Sequence, residues 1–352
     1  MVDYPGAGPI RHAGSYGSVA NMSLKLRRLG VVGGFLCCAG ALAAPLLAAT
    51  ADPAYPARPV RIIAPFPPGS GVDIIARVIG QALTDAWKQT FVVENRPGAG
   101  GTIGSDLAAK APPDGYTLLL GNVSTLAIGP HLYRNLPYDP LRDFAPITHI
   151  TSMGSVLLVH PSVPARSMKE LVALARAKPR SLTYASAGSG TTTHLGMELL
   201  KSMAKIDMVH VPYKGSAAAL TDLIAGHLQV MMSTIATSQG HVKAGKLRAL
   251  GVTTLKRMDL LPDVPSINEA LFPGFEVIVW QSMVAPARTP EAIVMRLNAE
   301  IVRILRTPAM KEHLTNQGLE AVGNSPKEFG EFIKSENAKW AKVVRISGAT
   351  VD

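Results

Sequence analysis

Residues 60–83 read VRIIAPFPPGSGVDIIARVIGQAL. This stretch decides the fold class, because its hydrophobic period changes within it. Residues 60–64 form a short β-branched run, which reads as a buried strand. Residues 73–87 place Ile74, Ile75, Val78, Ile79 and Leu83 at helical spacing, which reads as an amphipathic helix. Between them stands Gly69-Ser70-Gly71, a turn that feeds the helix N-terminus. Strand, glycine turn and helix in this order predict α/β architecture with helices on both faces of parallel sheets.

The alternation continues outward. A strand is expected at 91–94, a helix at 102–110 and a strand at 117–120, the last bounded by Pro112-Pro113-Asp114-Gly115. A second unit begins near a strand at 156–159. Its first helix, 171–177, is opened by the capping box Ser167-x-x-Glu170. Strands at 182–185, 208–211, 229–232 and 247–252 then alternate with helices at 192–203 and 217–225. The chain finishes with a strand at 275–283 and helices at 291–305, 309–317 and 326–345. The last helix has Ser325 as N-cap, Pro326 at its first position and Glu328 in its first turn.

The chain of 352 residues suits about two domains of typical size. With 47% hydrophobic and 17% charged residues it is not a disordered chain. Aromatics are only 5%, and no basic stripe or finger accompanies the net charge of +10, so nucleic acid is not an expected partner. Met22 is followed by Lys25, Arg27 and Arg28, an apolar run over 29–49 and the small exit Ala48-Ala49-Thr50-Ala51. That is the layout of a cleavable secretory signal, with cleavage expected after Ala51 and Met22 as the expected start. A permanent anchor helix is the alternative, which Pro45 and the small exit disfavour. Phe35 and Leu36, before Cys37 and Cys38, are too bulky for a lipid-modification site. Removing 1–51 takes Arg11, Lys25, Arg27, Arg28 and Asp3 from the balance of +10, leaving +7 and no cysteine. A thiol-free exported chain fits a periplasm, and its modest positive charge fits an anionic ligand.

Two glycine turns, Gly69-Ser70-Gly71 and Gly188-Ser189-Gly190, each lead into a helix and expose amides at its positive dipole end, a cradle for carboxylate or phosphate. Other motifs fail on inspection. Gly98-Ala99-Gly100-Gly101-Thr102-Ile103-Gly104 has Ile103 where a dinucleotide loop needs glycine, and Leu247 follows Gly245-Lys246 where a phosphate loop needs Ser or Thr. Ala187 and Pro68 exclude a Gly-x-Ser-x-Gly elbow. His194 and Glu198 lie four apart without a third ligand, so His194 reads as part of a polar helix start; no metal and no cofactor are expected.

Nine motifs in order carry a resemblance. They are Tyr55-Pro56-x-Arg58-Pro59-x-Arg61 running on to Pro68-Gly69-x-Gly71-x-Asp73; Val93-Glu94-Asn95-Arg96-Pro97-Gly98; Pro113-Asp114-Gly115-Tyr116; Leu136-Pro137-Tyr138-Asp139; Val211-Pro212-Tyr213-Lys214-Gly215; Gly245-Lys246-Leu247-Arg248; Leu261-Pro262-Asp263-Val264-Pro265; Pro273-Gly274-Phe275-Glu276; and Ala285-Pro286-Ala287-x-Thr289-Pro290. The chain resembles the substrate-binding proteins of tripartite tricarboxylate transporters, the Bug family, over essentially all of its mature length. The resemblance implies a two-lobed, type II Venus-flytrap periplasmic binding protein, with 52–155 plus 276–352 as one lobe, 156–275 as the other and hinges near Val156 and Phe275. It implies a monomeric, non-enzymatic receptor that captures a small carboxylated solute and delivers it to membrane permease subunits. Phe66, Pro68, Gly69, Ser70, Gly71, Ala99 and Gly100 would hold one end of the ligand. Ser186, Gly188, Ser189, Gly190, Thr191, Thr192 and His194 would hold the other, with Asp73 capping its helix. Relatives commonly carry Asp where this chain has Ser233, and often a proline near Gly240-His241. If that Asp meets an ammonium group, Ser233 favours a plain carboxylate, aromatic acid or amide over an amino acid. Two rivals stay open. A sensor signalling to a membrane kinase would have the same soluble chain, and an exported enzyme would need a base and nucleophile pair that is not evident.

Overall fold

The computed structural model describes residues 55–213 and 215–349. The expected signal segment, its cleavage point and the start at Met22 lie outside the described residues. In chain order the elements are β1 (Val60–Ala64), α1 (Gly71–Trp87), β2 (Phe91–Asn95), a 3-10 turn (Ala99–Gly101), α2 (Thr102–Ala109) and β3 (Thr117–Asn122). A π-helical turn (Ser124–Ile128), α3 (Gly129–Leu132), β4 (Phe144–Val159), α4 (Met168–Ala177), β5 (Thr183–Ser186) and α5 (Thr192–Ala204) follow. Next come β6 (Val209–Pro212), α6 (Ser216–Ile224), β7 (Val230–Thr234), α7 (Ile235–Lys243), β8 (Arg248–Val252) and α8 (Ile267–Ala270). The chain closes with β9 (Ile278–Pro286), α9 (Glu291–Leu305), α10 (Pro308–Asn316), β10 (Glu320–Ala321) and α11 (Pro326–Ser347).

The strands follow the path β2-β1-β3-β9-β4-β7-β5-β6, with β10 and β8 also paired to β4. The outer triplets, β2-β1-β3 and β7-β5-β6, are parallel, as the alternation predicts. The middle is a correction to that expectation: β3–β9, β9–β4 and β4–β7 are antiparallel. β4 is one strand serving two half-sheets. It pairs with β9 up to Gly154↔Ile278 and with β7 from Ser155↔Thr234 onward. A strand that passes from one half-sheet to the next needs no crossover helix, so its neighbours can run against it. The sequence reading finds only the end of β4. Pro146 and the polar run of Thr148, His149, Thr151 and Ser152 hide its start, and that start also carries register shifts between Pro146 and Thr148 and between His149 and Thr151.

Helices cover both faces. α1 buries Val72, Ile75, Ala76, Ile79 and Leu83 against the first half-sheet, in one apolar cluster with Ile293, Leu297 and Ile301 of α9. α11 seals the other face with Phe329, Ile333, Trp340 and Val343. Its buried Glu336 accepts the indole N–H of Trp280 at 2.9 Å and that of Trp340 at 3.0 Å, and pairs with Lys339. Asn337 Nδ2 donates to the Leu126 carbonyl at 2.6 Å. The Trp280 indole on this carboxylate ties the C-terminal helix to β9, and the Trp340 indole braces the carboxylate from within the helix; leaving either buried donor unpaired would cost about 1–3 kcal/mol.

His149, on β4, stacks on Phe332 at 4.9 Å and meets Trp280 edge-on at 5.9 Å. Burial pushes its pKa down to about 4, against the hydrogen bond between its Nε2 and the Thr151 carbonyl. The folded state therefore refuses a proton that the unfolded chain takes up near pH 6.5. Neutral His149 stabilises the fold fully above that pH, and the contribution is lost as pH falls from about 6.5 to about 4. At about 1.4 kcal/mol per pKa unit this amounts to about 3 kcal/mol. Urea unfolding at pH 7 and pH 4 checks it. The parent is expected to lose about 3 kcal/mol more than His149→Gln over that interval, and equal losses would refute the assignment.

Candidate ligand-binding site

β1 ends at Ala64 and the chain turns through Phe66–Ser70 into α1. Ser70 is the N-cap: its Oγ accepts the Asp73 N–H at 3.2 Å. The Asp73 carboxylate reaches back to accept the Gly69 N–H at 2.8 Å. It also accepts Asn95 Nδ2 at 2.8 Å and Arg77 Nε at 3.1 Å, and Asn95 Nδ2 lies 3.1 Å from the Phe66 carbonyl. Burial alone would raise the Asp73 carboxyl, but the bonds from Arg77, Gly69 and Asn95 outweigh it and hold the group below the usual carboxylate range. The N-cap is thus Ser70 rather than the expected Asp73, which stands in the first turn with its charge matched by Arg77. The Gly69 and Ser70 amides are used internally, the second on the Pro67 carbonyl at 3.2 Å. The donors left at this helix start are the Ser70 hydroxyl and the first helical amides, Gly71 and Val72, which have no partner inside a helix.

Gly98, Ala99, Gly100 and Gly101 all have positive φ, from 45° to 129°. This turn presses against the same loop. A Cβ on Gly101 would lie 2.6 Å from Thr125 Cγ2 and 3.2 Å from the Phe66 ring, so only glycine fits. The glycine turn and Phe66 of the first loop are therefore packed together.

In the second half-sheet β5 ends at Ser186 and α5 begins after the N-cap Thr191. Thr191 Oγ1 donates to the Gly188 carbonyl at 2.7 Å and accepts the His194 N–H at 3.4 Å. Its hydroxyl is committed, which leaves those of Thr192 and Ser189 as the open ones. His194 Nδ1 accepts the Gly190 N–H at 3.1 Å. His194 is only 5% exposed, and its ring stacks at 4.0 Å on His210. His210 Nε2 lies 2.7 Å from Ser186 Oγ, and that oxygen accepts the Gly188 N–H at 3.2 Å. Glu198, four residues after His194, is taken by Tyr184 OH and by Lys201 Nζ at 2.8 Å, and among the described residues no cluster suits a metal ion.

Ser233 is fully buried, 2.9 Å from Thr237 Oγ1 in the first turn of α7. The structure adds polar residues that the sequence reading passed over. Gln281 on β9 pairs with Asn122 at the end of β3, and a Cβ on Gly71 would stand 3.3 Å from Gln281 Nε2. Thr151 Oγ1 donates to Gln281 Oε1 at 2.7 Å. On the same strand as Thr151, Ser155 is 1% exposed and its hydroxyl has no protein partner. These residues sit on strands, where a lone Gln or Ser gives no motif; only the pairing places Gln281 beside the start of α1. Among the described residues no hydrogen bond joins the first loop to the second. A pocket of about 610 Å³, lined by Ser152, Lys256, Glu276 and Lys311, lies elsewhere and holds none of the expected site residues.

Residues 75–348 match the model of the "Tripartite tricarboxylate transporter family receptor". The chain belongs to this family. The Bordetella pertussis protein BugT is 38% identical over 326 residues, which span 92% of this chain and 98% of BugT. A Rhodopseudomonas palustris protein solved with adipate is 36% identical, covers 84% of this chain and 99% of its own, and superposes with a TM-score of 0.71. MatC from Rhodopseudomonas palustris, solved with bound malate, is 32% identical, covers 82% and 100% of the two chains, and gives a TM-score of 0.67. The receptor thus has the two-lobed periplasmic binding-protein fold, and its family consists of solute-binding receptors rather than enzymes. Among its described residues no helix is long and apolar enough to cross a membrane.

The receptor's first loop depends on one carboxylate. Asp73→Ala removes the acceptor of the Gly69 amide and the partner of Arg77 and Asn95. A loss of about 2–3 kcal/mol in urea unfolding at pH 7 is expected. A variant within about 0.5 kcal/mol of the parent would show that Asp73 does not hold the loop.

Proposed function

We propose that the receptor captures a small carboxylate carrying no ammonium group and delivers it to a membrane permease. In this reading 52–155 plus 276–352 and 156–275 are the lobes, the chain turns about Val156 and Phe275, and it works in the periplasm after export on its N-terminal signal. Phe66, Pro68–Gly71, Ala99 and Gly100 take one end of the ligand. Ser186, Gly188–Thr192, His194 and Ser233 form the other side, with Gln281, Asn122, Thr151 and Ser155 as the floor.

One observation carries the reading. Each half of the molecule has a helix start whose first amides and a nearby hydroxyl are uncommitted, and neither start presents an unmatched charge. Neutral donors at a helix N-terminus bind an anion without a buried countercharge, and so avoid the desolvation cost of an ion pair. The solved relatives with adipate and with malate are consistent with this chemistry. An ammonium group would require an acceptor of matching charge, and buried Ser233 supplies none.

Malate and aspartate make the sharpest test, because they differ by a hydroxyl against an ammonium group. Calorimetry and thermal shift should show malate or adipate binding and raising the melting point by mass action. Aspartate should bind at least about tenfold more weakly than malate, its ammonium being left unpaired. Aspartate binding as tightly as malate would overturn the proposal.

A further inference from the structure

Three helix starts in this chain use one device. A hydroxyl at the N-cap accepts the N–H of the third helical residue, and that residue's side chain reaches back to the N–H of the residue before the N-cap. In α4 the pair is Ser167 and Glu170, with the Arg166 N–H 2.6 Å from the Glu170 carboxylate. Here the sequence-read capping box is modified, since the acid reaches Arg166 rather than Ser167. In α1 the pair is Ser70 and Asp73, with the Gly69 N–H at 2.8 Å. In α5 it is Thr191 and His194, with the Gly190 N–H at 3.1 Å from Nδ1.

An acid is the ordinary choice at this position, because the helix dipole favours negative charge there. α4 uses an exposed acid away from the expected site, and α1 uses one matched by Arg77. α5 uses an imidazole. The nearby Lys201 could not neutralise an acid in its place, since its ammonium is already paired with Glu198.

We infer that His194 is a positioning residue: an uncharged acceptor that fixes Gly190 and the second-lobe loop while keeping the α5 start free of negative charge, so that a carboxylate can bind there. The inference rests on reading Ser186–His194 as the carboxylate-facing loop. The groups around the ring keep it neutral. His210 of β6 stacks on it at 4.0 Å with an interplanar angle of 11°, so a proton on one ring opposes a proton on the other. Tyr184 of β5 stacks beyond, and α5 itself brings Glu198 and Lys201. Burial, with Lys201 and against Glu198, holds His194 below its ordinary range; burial and its stacked partner push His210 down to about 4. A proton on Nδ1 would turn the acceptor into a donor facing the Gly190 N–H, and the two would part.

The test uses the full chain with His194→Asn, His194→Asp and His194→Phe. The readouts are adipate and malate calorimetry at pH 7, thermal melting and ¹⁵N spectra of the ring and of the Gly190 amide. Asn offers a neutral acceptor at the place of Nδ1 and is expected to bind more tightly than either the Asp or the Phe variant. Asp keeps the cap, so it should melt no lower than the Asn variant yet bind at least about tenfold more weakly, through repulsion of the anion. Phe keeps a ring in the stack but should lose about tenfold in affinity and shift the Gly190 amide. In the parent, Nδ1 should be unprotonated and Nε2 protonated at pH 7. An Asp variant that binds as tightly as the parent, or a protonated Nδ1, would overturn the inference. If the parent binds neither acid, the ring and amide spectra still decide whether His194 positions Gly190, and the carboxylate reading of the site falls separately.

Discussion

The first amides of a helix find no partner within it, and both candidate ligand loops are built on that shortage. In each loop the chain satisfies the amide before the N-cap with a side chain from the first turn, Asp73 for Gly69 and His194 for Gly190. Those bonds make the loops rigid and leave the next amides open. A loop that satisfied every donor would bind nothing. One that satisfied none would need the ligand to order it, at an entropic cost to affinity. The partition between committed and open donors is the constraint to which the rest of the fold responds. Arg77 and Asn95 serve Asp73, and the ring of His210 serves His194.

The half-sheets that carry these loops share one strand. β4 exchanges its neighbours between Gly154 and Ser155, and β9 returns beside its first part. The polar residues nearest the exchange, Thr151, Ser155 and Gln281, are buried although they stand on strands. α11 braces the arrangement from outside, with Glu336 holding two indole donors and Asn337 holding the carbonyl of Leu126. Such a fold places the two candidate ligand loops on separate half-sheets joined through β4.

Much of this was legible from residues 60–83 outward. β1 and α9 occupy the residues that periodicity assigned to them, and α1 differs only by starting at Gly71. The reading of α1 was less accurate for its face: Ile74 belongs to the apolar pattern but is 40% exposed, while Val72 is buried. α7 escaped notice because Thr237, Ser238 and Gly240 give weak propensity and no apolar stripe; the packing of Ile235 and the sheet beneath it make it a helix. Gly101 was quoted as part of a failed nucleotide motif. Its real constraints are Thr125 and the ring of Phe66, twenty-four and thirty-five residues away.

By itself the sequence determined the alternation of strands and helices, the two glycine turns ahead of helices and the cap Ser325, because these depend on residues within one or two turns of each other. Only the tertiary structure decided that β4 belongs to two half-sheets, that Asp73 is matched by Arg77 and Asn95, that His194 stacks on His210 and that Gln281 stands beside Gly71. Strand pairing and ring stacking join residues far apart in the chain, and whether a donor is committed or open is set by those distant partners, which no local pattern encodes.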